Sequence, residues 1–437
     1  MNMDSLIVSI GTILLAARMT GWIFKRIGQP KVVGEMVAGI VLGPSVFGHF
    51  FPSLFGRVFS PSSFVMLGIL SQVGMLLFMF LIGLEVDPQK ILSHKSVVIF
   101  TSNCSILVPL GLGIGVARAL YPEFAGANVP FLLFAFFIGT AMSITAFPVL
   151  AGILKERRLL GTNLGAMAIS CAAINDASAW LLLAILTAIV HSAENWTHLI
   201  VRLLCLPIFV AVMLSPIRRS LAFLQGFYPG RISPTGMFSM HILLLLAASW
   251  TTERLGIHAL FGAFVAGLAV PRNHRIVSET VEKIESLTLV LLVPVFFALT
   301  GLRTHIDMLA GTDAWVYAAG IIVAATVGKL AGASLASRAT GLRWRDAVAL
   351  GVLMNARGLV ELVILNAGLD LGILSPRLFT MMVMMALVTT FMTTPILALL
   401  QKSSVEEGER ENRGGQERQD MLRESDKPAG EHGAGAN

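Results

Sequence analysis

Asn175 and Asp176 stand in the middle of an apolar run from Gly161 to Val190. Fifteen residues of that run precede Asp176 and fourteen follow it. At about 1.5 Å of rise per helical residue, the carboxylate would sit near the middle of a bilayer. A carboxylate at that depth costs about 2.5–3.5 kcal/mol on insertion scales unless it is paired, hydrated or protonated. An acid that must hold either a proton or a cation is the simplest chemical basis for exchange transport. Asp176 is therefore the expected ligand of a bare Na⁺ or K⁺ and of the H⁺ that competes with it. Its neighbours are small (Ala166, Ala168, Ser170, Ala172, Ala173, Ala177, Ser178 and Ala179) until Trp180, one turn on. Small faces let helices approach closely and bring backbone dipoles to the carboxylate.

One run earlier lies Gly139-Thr140-Ala141-Met142-Ser143-Ile144-Thr145-Ala146-Phe147-Pro148. Pro148 removes a helix hydrogen bond and clashes with the preceding turn, which frees carbonyls around Ile144 and Thr145. Ser143 and Thr145 can either patch that kink or help to coordinate a cation. In the C-terminal half Lys329 lies mid-run, too deep to snorkel easily. The next run, Leu353 to Glu361, holds Asn355, Arg357, Gly358 and Glu361. Arg357 and Glu361 are spaced i,i+4, as in an intrahelical ion pair that neutralises itself. Asn355 and Gly358 weaken the helix between them and predict a second break.

The elements that must position these groups are membrane-crossing helices. The chain has 437 residues, 55% of them hydrophobic and 13% charged. Apolar windows predict an all-α polytopic membrane protein with about thirteen crossings, centred near residues 15, 38, 74, 107, 141, 175, 206, 245, 263, 293, 326, 358 and 388. The net charge of +6 reflects topology and implies no nucleic-acid partner. Alternate loops hold Lys25, Arg26 and Lys31; Lys90 and Lys95; Lys155, Arg157 and Arg158; Arg218, Arg219 and Arg231; Arg272, Arg275 and Lys283; Arg338, Arg343 and Arg345. That alternation predicts an N-terminus outside and a C-terminus in the cytoplasm.

Glu85, Arg303, Glu35 and Arg18 are expected within reach of an interface. Cys104, Cys171 and Cys205 lie in apolar runs without a CxxC or a His cluster, which predicts neither a disulfide frame nor a structural metal. The N-terminus has no basic region before its apolar run and reads as a first span rather than a cleaved signal. From Ser403 to Asn437 the chain carries nine acids, five bases and no aromatic residue, which predicts a disordered polar tail. No nucleotide-binding domain is expected after the membrane part, residues 1–402, and no cofactor.

The polar features recur in order. Spans four to six carry Asn103, the break at Thr145, then Asp176; spans eleven to thirteen carry Lys329, the break at Asn355–Gly358, then Thr389, Thr390, Thr393 and Thr394. An odd number of spans separates the two triplets, so they run in opposite senses. That predicts an inverted repeat with a site where the broken helices cross.

These stretches together resemble the monovalent cation:proton antiporter-2 family. The matching segments are Gly34 to Pro44, Phe80 to Glu85, Ser143 to Leu150, Ala172 to Trp180, Gly328-Lys329 and Met354 to Leu362. The resemblance implies a homodimer with a dimerisation bundle at about 5–85 and 237–303 and a mobile core at about 95–190 and 315–400. It also implies elevator-like alternating access. Asp176 matches the ion-binding aspartate, Asn175 the residue before it, Lys329 the core lysine, and Thr145 and Asn355–Gly358 the two crossing helices. Where some electrogenic members carry Asp-Asp, this chain has Asn175-Asp176, so a second titratable carboxylate is missing.

The expected function is therefore that of a secondary antiporter, not an enzyme, in a bacterial inner or plasma membrane. It exchanges Na⁺ or K⁺ for H⁺, one for one, in pH homeostasis. A passive cation channel and a membrane sensor or scaffold are the alternative classes. A channel needs a continuous wet path, whereas the polar residues cluster between long apolar flanks.

Overall fold

In hydrocarbon every backbone N–H and C=O must be paired within its own segment, so apolar runs of this length fold as helices. The computed structural model describes residues 3–85, 95–127, 129–159, 162–190, 196–226 and 232–425. In chain order the helices are α1 (Met3–Arg26), α2 (Lys31–Leu42), α3 (Pro52–Val58), α4 (Pro61–Glu85), α5 (Lys95–Phe124), α6 (Phe131–Ser143), α7 (Phe147–Glu156), α8 (Asn163–Val190) and α9 (Trp196–Val212). They continue as α10 (Arg218–Gln225), α11 (Pro234–Arg254), α12 (Ala259–Ala269), α13 (His274–Leu287), α14 (Val293–Leu302), α15 (Thr312–Ala339), α16 (Trp344–Met354), α17 (Leu359–Asp370) and α18 (Pro376–Ser425). Among the described residues there is no strand beyond an isolated bridge between Ala125 and Leu374.

The expected thirteen crossings resolve into fewer full spans. Among the described residues eleven helices are long and apolar enough to cross a membrane, or twelve with the bent pair α16–α17 counted as one. The window near residue 263 is α12, only 11 residues long. At 1.5 Å per residue it covers about half of a 30 Å hydrocarbon core. Hydropathy saw an apolar run there, but Pro271 and the extended backbone at Val270 end the helix early.

Two sets of helices pack within themselves. α5 packs on α15, α6 and α8, and α15 packs on α16. Separately, α2 packs on α1 and α14, and α4 on α12 and α14. The second set relies on glycines where backbones touch: a Cβ at Gly301 would overlap the backbone of Gly39. Contacts between the sets run through α12 with α8 and α14 with α17.

The chain divides into two compact units, Met1–Thr394 and Pro395–Asn437. Beyond Ser403 the backbone of α18 is helical as far as Ser425. Lys90, Arg231 and residues 426–437 lie outside the described residues.

Candidate functional site

The site begins with two interruptions. α6 stops at Ser143 and α7 starts at Phe147, with Ile144 and Ala146 extended between them. Pro148 causes this: it sits in the first turn of α7, where its missing N–H costs nothing, whereas in a continuous helix its ring would clash with the Ile144 carbonyl. The second interruption separates α16 from α17 by a bend of 42°. Gly358 permits close approach there, because a Cβ at that position would lie 2.6 Å from Cγ2 of Val149 on α7.

The two interruptions bond to each other. The Ala146 N–H donates to the Ala356 carbonyl at 2.9 Å. The Thr145 hydroxyl donates to the Met354 carbonyl at 2.8 Å, capping the C-terminal end of α16. In return the Arg357 guanidinium donates to the carbonyls of Ala141 at 3.1 Å and Met142 at 2.7 Å, capping the C-terminal end of α6. A cation suits the negative pole of a helix. Each broken helix therefore supplies the cap that the other lacks.

The N-terminal ends carry acids. Phe147 N–H, at the start of α7, donates to Asp176 Oδ2 at 3.3 Å. Asp176 is fully buried, and its Oδ1 has no hydrogen-bond partner among the described residues. At α17, Glu361 stands in the first turn and its Oε1 accepts from Arg357 at 3.3 Å, both side chains fully buried. Both readings of the Arg357–Glu361 pair thus hold at once: it is an ion pair, and it lies at a break.

Thr145 is the hub. Its Oγ1 accepts from Lys329 Nζ at 2.7 Å and from Asn175 Nδ2 at 3.0 Å while it donates to Met354. Asn175 Nδ2 also reaches Ser105 Oγ on α5 at 2.9 Å. Four ionisable side chains, Asp176, Glu361, Lys329 and Arg357, are wholly buried in this region, two acidic and two basic. Buried charge at this density persists only when it is paired and hydrogen-bonded.

Asn175, Thr145 and Lys329 share the hub, while Asp176 bonds the start of α7 and Arg357 joins Glu361 to the end of α6. Ser143 is not bonded to it: its hydroxyl donates to Thr140 O within α6. Asn355 donates to Thr389 O and holds the second break against α18. Asn103 faces outward from α5, donating to Ile99 O. Ser105, two residues on, is the inward partner that sequence reasoning missed. The i,i+3 spacing of Ser102 and Ser105 was its available signal. Thr390 was named only as part of a threonine-rich helix; its hydroxyl accepts from Arg357 N–H at 2.9 Å, as Asp176 accepts from Phe147. Two of the charged residues expected near an interface are paired. Glu35 is buried beside Lys31 at 3.2 Å, and Arg303 pairs with Asp370 at 2.9 Å.

Residues 13–400 match the family model described as the transmembrane sodium/hydrogen exchanger. The chain belongs to the sodium/hydrogen exchanger family. The chain is 38% identical over 402 residues to the Na⁺/H⁺ antiporter NhaS4 of Synechocystis, covering 91% of the chain and 98% of that relative. It is 35% identical to K⁺/H⁺ antiporter 1 of Saccharomyces cerevisiae and 37% identical to cation/H⁺ antiporter 17 of Arabidopsis thaliana. The matches cover 92% and 91% of the chain but 47% and 48% of those relatives, so the chain spans about half their length. The fold is matched by the sodium/proton antiporter MjNhaP1 of Methanocaldococcus jannaschii, with a TM-score of 0.65 at 13% identity, over 91% of this chain and 99% of that one.

Proposed function

We propose that the chain is a secondary antiporter that exchanges Na⁺ or K⁺ for H⁺ at Asp176. The observation that carries this reading is the position of Asp176. It is a fully buried carboxylate at a crossing of two broken helices, with one oxygen held by a helix N-terminus and the other without a partner among the described residues. Such an oxygen is satisfied by a proton or by a cation, and one group that accepts either in turn couples their movements. The names of the relatives support both ions, since one is a Na⁺/H⁺ and another a K⁺/H⁺ antiporter.

The exchange is one for one. Proton-loaded and cation-loaded Asp176 carry the same charge, and Asn175 cannot titrate. Lys329, Arg357 and Glu361 then carry the same summed charge in both loaded states. The core helices, about 95–190 and 315–400, slide against a dimerisation bundle at about 5–85 and 237–303. The N-terminus lies outside and the tail from Ser403 in the cytoplasm of a bacterial inner or plasma membrane, and the protein works as a homodimer.

The test is purified protein in proteoliposomes under an imposed pH gradient, with Na⁺ or K⁺ added. Cation-dependent collapse of the gradient, with a reversal point indifferent to membrane potential, is the expected result. Cation flux that proceeds without proton movement would instead identify a passive channel. A reversal point that follows the potential would mean that a second group, Lys329 foremost, releases an additional proton.

A further inference from the structure

Away from Asp176, α14 and α17 meet at one end of the molecule through four polar side chains. Arg303 caps α14, and its Nη1 lies 2.9 Å from Asp370 Oδ1 and 3.1 Å from Asn366 Oδ1. Asn366 Nδ2 reaches back to Thr300 Oγ1 at 2.9 Å. Thr300 and Arg303 therefore belong to the last turn of α14, and both of their partners to the last turns of α17. An arginine that only snorkelled would need no more than water. This one is tied by two bonds to a single neighbouring helix.

α17 is the helix that begins at the second break. It runs without interruption from the turn bearing Glu361 to Asp370, about 18 Å at the usual rise. A displacement of the crossing is thus carried along one stiff rod to this cluster. Beside it lies a cavity of about 270 Å³, also lined by Gln72 of α4 and by Glu253 and His258 at the mouth of α12. The cavity gives water access to groups that part from each other. The outer half of the cluster is already wet, with Arg303 34% and Asp370 58% exposed. The inner half, Asn366 and Thr300, is buried. An exposed ion pair is weak enough to open repeatedly, whereas buried partners give the closed arrangement a defined geometry.

We infer that Thr300, Arg303, Asn366 and Asp370 form a polar clasp that closes the two bundles on each other at this end and must open in every transport cycle. This rests on the reading that α17 slides against α14 during exchange. The clasp sets the balance between closed and open arrangements of the cavity, and it binds no transported ion itself.

Two measurements on full-length protein in proteoliposomes separate the clasp from the slide, in a background with Cys104, Cys171 and Cys205 replaced by alanine. In the first, Arg303→Cys and Asp370→Cys are joined by a short reducible bis-thiosulfonate linker. Exchange should stop on linking and return on reduction. Full exchange by the linked protein would overturn both the slide and the clasp. In the second, Gln72→Cys reports the cavity through its rate of labelling by a membrane-impermeant maleimide. Adding Asp370→Asn should accelerate labelling severalfold and alter the exchange rate. The charge swap Arg303→Asp with Asp370→Arg should return both towards the starting values. Labelling and exchange that ignore Asp370→Asn, in protein that the linker does inactivate, would overturn the clasp and leave the slide standing.

Discussion

Lys329 and Thr145 are joined by a 2.7 Å hydrogen bond from Nζ to Oγ1. The lysine of α15 is thus anchored to the break in the other half of the chain, and the hydroxyl that receives it also accepts from Asn175 and donates to Met354. One side chain satisfies an ammonium, an amide and a helix-terminal carbonyl. A buried hub of this kind makes its loss larger than that of any single hydrogen bond, because several partners are orphaned together.

Thr145→Ala should therefore cost about 1–3 kcal/mol of stability for each buried group left unsatisfied and reduce exchange at least tenfold. Thr145→Ser keeps the hydroxyl and should restore most of both. Thermal unfolding in detergent and exchange in proteoliposomes measure the two effects. An alanine variant that equals wild type in exchange would remove Thr145 from the working site.

Asp176→Asn keeps shape and removes the exchangeable charge. Exchange should vanish while the purified variant unfolds at or above the wild-type temperature, because a buried carboxylate has been replaced by a neutral group. In the wild type the cation and proton compete for one carboxylate. The apparent KM for the cation should accordingly rise as pH falls, approaching tenfold per unit on the acid side, with little change in maximal rate. Measuring KM across pH in proteoliposomes checks this, and a pH-independent KM contradicts a shared ligand.

Arg357 serves two structures, the Glu361 carboxylate and the open carbonyls of α6. Arg357→Ala should destabilise by about 3–5 kcal/mol, since it leaves a buried acid unpaired. Lysine should not rescue it, because one ammonium cannot span the two carbonyls and the carboxylate as the planar fork does. Combining Arg357→Met with Glu361→Leu should recover part of the stability. Denaturation midpoints of the three variants test the ordering.

Gly358→Ala places a methyl group 2.6 Å from Val149 Cγ2. Overpacking of that kind costs about 1–3 kcal/mol. Val149→Ala opens the space, so the double variant should be more stable than Gly358→Ala alone. Strict additivity of the two substitutions would show that α7 and the second break do not press on each other at this point.

Much of this was legible in the residues. Asp176 in its apolar run, Pro148 inside another, Lys329 too deep to snorkel and the Asn355–Gly358 weakness each violate the composition expected of a membrane helix. Each proved to lie in the crossing. Less legible was the direction in which neighbouring residues point. Asn103 and Ser105 differ by two positions and lie on opposite sides of α5, so composition ranked the wrong one. Ser143 stands two residues before the hub yet bonds within its own helix. The window at Ala259–Ala269 is an apolar helix of only 11 residues, a difference hydropathy does not register because it measures apolarity and not length.

The sequence by itself determined the solvent, the helical class and the unusual groups. Each follows from the local cost of placing a side chain or a broken backbone in hydrocarbon. Tertiary structure alone decided the partners: that Arg357 caps α6, that Thr145 caps α16 and holds Lys329, and that Arg303 grips α17. Those bonds join residues far apart in the chain. Hydrogen bonds are made at about 3 Å, and no periodicity read along one helix fixes which side chain of another will arrive within that distance.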